Sequence, residues 1–444
     1  MGRCAVSTQK QKRPFALRAL AAFAGTLAIL FVLLLAAYAL PGERVRQHVY
    51  ASARTIQNEG LYPEYLGFKL FQMDNYTDTL MLFEAASADE LPPLQAMMTN
   101  TAYNVDNFET LADDLAWYIE KDWSTGAQRT DAPALEPFSY ARYWHGYLIW
   151  LRPLLLLMPY TGVRIVQYIV LFALLAVVLV QLRRRCGLRA AVWFAVSQLA
   201  VSVWFVPHQV QYFTCFMIAY AGCAWVLAKP RRSDVLCLGL LVLGTATAFC
   251  DLLVTPIITL GLPLTCWLLE PQQRLRGGVP QCALAVGGSL CWGTGYALCW
   301  AGKWALAGAV TNNNVLADAL HQAEVRTTAD TWHGMELTWR NIFIFLYDTL
   351  NSHHLFWPAL AVLAVLIALF ILSIRSKTAL VRALPLALTT CMTPAWFVLL
   401  RTHSIQHGWF TWRALGLTVF AGLAFLYYAC DLRAARRRLQ KGSI

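Results

Sequence analysis

LRALAAFAGTLAILFVLLLAAYAL, residues 17–40, decides the fold class of this chain. A single cation, Arg18, sits at its first turn, and no other charge follows before Glu43. At 1.5 Å per residue a run of this length crosses the roughly 30 Å of a bilayer's hydrocarbon core. In lipid the backbone amides must be satisfied within the segment, so the run has to be a helix. It follows Lys10, Lys12 and Arg13, as a signal peptide would, and Ala37-Tyr38-Ala39 resembles a cleavage site. Its apolar stretch exceeds the usual signal-peptide core, which favours an uncleaved anchor.

Working outward, comparable runs recur along the 444 residues, which are 58% hydrophobic and 14% charged, well outside the range of soluble domains. The expectation is an all-α polytopic membrane protein of about ten spans: residues 17–40, 163–182, 190–206, 212–228, 235–250, 253–269, 281–302, 357–374, 379–400 and 413–430. A cytoplasmic tail (1–16) precedes the first span, and a large extracytoplasmic loop (41–143) follows it. An interfacial helix and the remaining spans fill 144–430, with a second outer loop at 303–340. A basic tail (431–444) ends the chain.

The formal charge of +11 invites a nucleic-acid partner. Its distribution argues against one. Arg183-Arg184-Arg185, Lys229 with Arg231-Arg232, Arg274 with Arg276, Arg375 with Lys377, and Arg436-Arg437-Arg438 each abut an apolar run. Only Asp234, Glu270 and Asp431 are acids on that side. This is the positive-inside pattern, which puts both termini in the cytoplasm of a multi-pass cell-membrane protein. The twelve cysteines lie in or beside apolar runs or in the N-terminal tail, and none falls in the large loop, so no outer disulfide framework is implied.

The first loop is polar and acidic, and Leu61-Tyr62-Pro63 and Leu91-Pro92-Pro93 mark turns. The spacing of Phe108, Leu111, Leu115 and Ile119 predicts an amphipathic helix over 102–123. Segment 140–158 carries aromatics among cations and reads as a helix in the interfacial belt.

Four polar clusters fall at the outer boundary. They are Asp74-Asn75-Tyr76-Thr77-Asp78; Arg142, His145 and Arg152; Asp251, in the turn between two spans; and Arg401, His403, His407 and Arg413. A transferase using a lipid-phosphate sugar needs this inventory. A carboxylate serves as general base for the acceptor hydroxyl, and Asp74, Asp78 and Asp251 are the candidates. Cations or imidazoles stabilise the departing phosphate or contact the sugar, the role assigned to Arg142, His145, Arg152, Arg401, His403, His407 and Arg413. An intramembrane-edge carboxylate such as Asp251 must face a cavity or a partner. His403 and His407 have the i,i+4 spacing of a metal pair, but no third ligand is apparent, so no metal is assigned. For each cluster the plain alternatives are helix caps, salt bridges and snorkelling at the interface.

Asp74 to Asp78, Tyr143-Trp144-His145-Gly146-Tyr147, Asp251 to Pro256 and His403 to Arg413 look similar to uncharacterised bacterial members of the GT-C superfamily of integral membrane glycosyltransferases. The whole layout resembles that superfamily: a cytoplasmic N-terminus, then a long first outer loop with amphipathic helices and catalytic acids. The resemblance implies inverting transfer of a sugar from a polyprenyl-phosphate donor to a glycan, lipid or protein acceptor of the cell envelope. Gly287-Gly288 lacks any phosphate-loop pattern, so no nucleotide-sugar donor is expected, and a divalent metal is left undetermined. Glu43, nearer the membrane exit, is the alternative base. Two other classes remain in view, a lipid or glycan flippase and a non-catalytic envelope-assembly protein.

Overall fold

The structure, a computed structural model, describes residues 14–103, 137–328, 331–332 and 335–431. The described residues are 81% helical. Helix α1 (Phe15–Tyr38) comes first and is long and apolar enough to cross a membrane. The first loop then folds into α2 (Gly42–Glu59), α3 (Asn75–Ser87) and α4 (Pro93–Thr99), closed by an antiparallel pair, β1 (Thr101–Tyr103) and β2 (Pro137–Ser139). All but the first residues of the amphipathic helix predicted over 102–123 lie outside the described residues.

The bundle continues through α5 (Leu148–Leu155), α6 (Tyr160–Cys186), α7 (Leu188–Ala200), α8 (Val210–Ala228), α9 (Ser233–Cys250), α10 (Ile257–Leu268), α11 (Pro271–Arg276) and α12 (Val279–Thr311). Then come α13 (Val315–Thr328), α14 (Ile344–Ser352), α15 (Phe356–Ser373), α16 (Lys377–Leu399), α17 (Arg401–Gln406), α18 (Gly408–Thr411) and α19 (Leu415–Ala429). Among the described residues eight helices are long and apolar enough to cross a membrane, and α7 and α10 are shorter apolar helices. Each of the ten runs read from hydropathy is therefore helical.

Both short helices are cut by local chemistry. The chain breaks after α7 at Ser202, in the left-handed region, and resumes as a tight 3₁₀ segment, Val203–His208, containing Pro207. Before α10, Pro256 disfavours helix in the residue ahead of it, and Asp251 to Thr255 stays irregular. Helices α1 and α15 are hardly buried by protein at all, so their apolar surfaces are left for lipid.

Helices α9 and α12 form the most extensive pair, and glycine sets their separation. A Cβ on Gly244 would lie 2.1 Å from the Trp292 carbonyl oxygen, and one on Gly295 would lie 2.2 Å from that of Leu241. Small residues let membrane helices pack backbone to backbone, where dispersion replaces the missing hydrophobic drive.

Segment 140–158 departs from its sequence reading. It is a turn followed by the single short helix α5, and it is not a surface helix in the interfacial belt. Trp144 and Tyr147 are fully buried; Trp144 stacks on Phe249 and donates its indole N–H to the Cys299 carbonyl. Gly146 permits this, because its amide donates to the Phe249 carbonyl at 2.8 Å, leaving no room for a Cβ. The aromatics wedge the first loop into the bundle.

Candidate functional site

The N-terminus of α3 meets that of α8 at the loop end of the bundle. Asp74 is the N-cap of α3, and its carboxylate accepts from the Thr77 amide (2.9 Å) and hydroxyl (2.6 Å). Its own amide donates to Gln209 Oε1 at 2.7 Å, and Gln209 Nε2 donates to Asn75 Oδ1, so the residue before α8 locks the start of α3. Asp78, one turn on, turns away into the protein. It accepts from the amides of Val210 and Gln211 and from the Tyr160 hydroxyl, capping the neighbouring helix.

Asp74 lines an open cavity of about 480 Å³. Across it stand His403, on α17, and His407, the residue that follows α17, with ring centroids 4.7 Å apart. Gln211, Tyr140 and Arg326 also belong to its wall. Burial raises the Asp74 carboxyl above the usual carboxylate range, against the pull of the Thr77 donors. Burial, the neighbouring His407 and the Arg326 guanidinium hold His403 well below the usual imidazole range. Burial and Arg326 lower His407 to about 4.

His403 has a defined tautomer. Its Nε2 lies 3.0 Å from the Leu253 carbonyl oxygen, which only accepts, so Nε2 carries the proton. Nδ1 then presents a lone pair, and this buried atom has no hydrogen-bond partner. The imidazole in the cavity wall is thus neutral and fixed in orientation by the Leu253 carbonyl.

No known family, curated protein or solved structure matches the chain. The site is therefore read from its own chemistry.

Beside the polar cavity runs a shallow groove of about 120 Å³, lined by Tyr143, Tyr296, Trp300, Trp304 and Trp396 with Arg142. Arg326 lines both spaces, and Leu252 and Leu253 stand one on each side. Among the described residues no carboxylate pairs with Arg326. The groove's back wall is an aromatic ladder down α12: Trp292, Tyr296, Trp300 and Trp304, with successive centroids 4.8, 5.0 and 5.9 Å apart. The i,i+4 repeat of that ladder was legible in the sequence. Arg326 carried no such signal, being one cation in a polar loop.

The other predicted residues are placed elsewhere. Asp251 does not line the cavity. Its carboxylate accepts from the Val254 amide with both oxygens at 3.2 Å, and burial pushes it up to about 6. It shapes the turn whose Leu253 carbonyl holds His403. His145 is sealed in a buried cluster, with Nδ1 2.6 Å from Glu84 and Nε2 on the Tyr140 carbonyl. Glu84 also accepts from Tyr147, Asn100 and Tyr38, joining α1 and α3 to the segment before α5. Arg152 is fully buried and donates to the carbonyls of Tyr38 and Leu40, terminating α1. Arg413 is buried over the Tyr212 ring and donates to the Leu70 and Trp409 carbonyls. Arg401 lies over the Trp339 ring, outside the cavity wall. Arg142 pairs with Asp318 at 3.3 Å and belongs to the groove. Glu43 is exposed in the first turn of α2, away from the cavity. Among the described residues no third ligand joins His403 and His407 into a metal set.

Proposed function

We propose that the chain is a membrane glycosyltransferase that moves a sugar from a polyprenyl-phosphate donor to an extracytoplasmic envelope acceptor. The observation that carries this reading is the sharing of Arg326 by a polar cavity and an aromatic groove. A lipid-phosphate sugar has the same three parts in the same order: sugar, phosphate, isoprenoid chain. The sugar occupies the cavity, the phosphate meets Arg326, and the first isoprene units lie on the tryptophan ladder before the tail enters lipid. Arg is suited to the middle position because its planar fork holds phosphate oxygens while the stem packs on apolar surface.

In the step proposed, the acceptor oxygen bonds to the anomeric carbon as its proton passes to Asp74. The bond from that carbon to phosphate oxygen breaks, and the electron pair leaves on the lipid phosphate, where Arg326 offsets the growing charge. His403 and His407, in the wall of the cavity, contact the sugar. Inversion at the anomeric carbon and the GT-C resemblance remain part of the proposal.

The test compares lipid-linked sugars and surface glycans in cells with the wild-type chain, without it, and with Asp74→Asn or Arg326→Gln. The expected result is a polyprenyl-phosphate sugar accumulating in the outer leaflet, with one surface glycan lost. Removing a general base typically lowers the rate by about 10²–10⁴-fold, so Asp74→Asn should match the deletion. Accumulation confined to the inner leaflet would instead show a flippase. Unchanged lipid pools and glycans would leave no role in transfer.

A further inference from the structure

A second cavity, of about 410 Å³, opens at the opposite, basic end of the bundle, among α11 and the starts of α12 and α16 and the end of α19. Three guanidiniums line it, Arg274, Arg375 and Arg382, and no carboxylate does. Of the acids of this end, Glu270 pairs with Arg185 at 2.7 Å and Asp234 with Arg18 and Arg232, and Asp431, next to Cys430, does not line the cavity. No described carboxylate therefore faces the three guanidiniums from the cavity's own walls.

The guanidiniums are only partly used. Arg274 donates through one nitrogen to the Tyr428 hydroxyl at 2.5 Å, which steadies it against the ring, while its buried Nε has no partner. Arg375 donates to the carbonyls of Cys430 and Tyr427 at the end of α19. Arg382 makes no hydrogen bond or ion pair with a described residue. Its stem is fixed by close approach to Gly277, where a Cβ would sit 2.9 Å from the Arg382 Cγ. Leu268, Ala379, Pro385 and Leu386 give the same cavity an apolar wall.

We propose that this cavity binds a phosphoryl group, a ligand chemistry supplied by the headgroup of an anionic phospholipid or by free phosphate. Forked donors around a space with no carboxylate in its lining match phosphate oxygens. The apolar wall suits the glycerol and first acyl carbons of a lipid, and basic pockets between helix ends are where cytoplasmic-leaflet headgroups bind. The site lies at the other end of the molecule from the proposed transfer cavity and stands independently of that reading.

Delipidated protein in detergent would be titrated with phosphatidylglycerol and with phosphatidylcholine and followed by native mass spectrometry. Phosphatidylglycerol should be retained and phosphatidylcholine should not. Arg274→Gln combined with Arg382→Gln should weaken retention about tenfold or more, the loss of one or two charge-assisted hydrogen bonds. If the double variant fails to fold, Arg382→Gln alone gives the same reading, since that exposed side chain holds nothing else in place. Displacement of the lipid by millimolar inorganic phosphate would show that the phosphoryl group suffices. Persistence against it would show that the lipid is the ligand. Equal retention of both lipids, or undiminished retention by the variants, would overturn the proposal.

Discussion

Asp74 and Asp78 are one helical turn apart and have opposite fates, which the i,i+4 spacing alone cannot distinguish. Asp74 faces the cavity and Asp78 is consumed in capping α8. Burial pushes Asp78 up to about 7, against an ordinary value near 4 in an unfolded chain. Between those values the folded protein binds the proton that the unfolded chain has released. The stabilisation is complete below about 4 and is lost as pH rises through about 7. The thermal midpoint in detergent should therefore fall as pH rises from about 4 to about 7 and level off above, and Asp78→Asn, which has no proton to lose, should flatten that slope. Asp251, at about 6, adds to the slope in the lower part of this window. An unchanged slope in the variant would assign the titration to another group. The His403–His407 pair was visible as a spacing, but the tautomer that gives His403 a free lone pair depends on the Leu253 carbonyl, 150 residues away in the chain.

At the scale of elements, local signals placed the helices and misplaced one of them. Hydropathy is summed over neighbours, so each long apolar run became a helix. Segment 140–158 defeated that reading because aromatics and cations together suit an interface and a packed wedge equally well. Only Gly146, tight against Phe249, makes burial possible. The α9–α12 pair shows the same dependence on small residues. Gly244→Ala should destabilise the detergent-solubilised protein by about 1–3 kcal/mol, the usual cost of overpacking, because the methyl group collides with backbone. Gly287→Ala, on the same helix pair but with open space around it, is the control and should be neutral or slightly stabilising. Equal thermal midpoints for the two variants would show that α9 and α12 do not meet as described.

Across the whole molecule two polar cavities lie at opposite ends of an apolar bundle, one holding Asp74, the two histidines and Arg326, the other three arginines. If the bundle spans a membrane, Thr77→Cys and Arg382→Cys should react with an impermeant maleimide from opposite faces of sealed vesicles. Labelling of both from one face would refute this arrangement. The helices, the charge asymmetry and the acidic character of the first loop could be read from the amino-acid sequence alone, because each is a property of contiguous residues and needs no knowledge of contacts. Which polar side chains share a cavity was decided by tertiary packing. Arg152, Arg413 and His145 have the same chemistry as the residues that reach the site, but they are spent on helix ends and a buried carboxylate. Arg326, from a loop with no motif, enters the site because α13 folds back over α17. Burial leaves few unsatisfied donors and acceptors, and only the assembled fold determines which groups satisfy one another and which remain for a ligand.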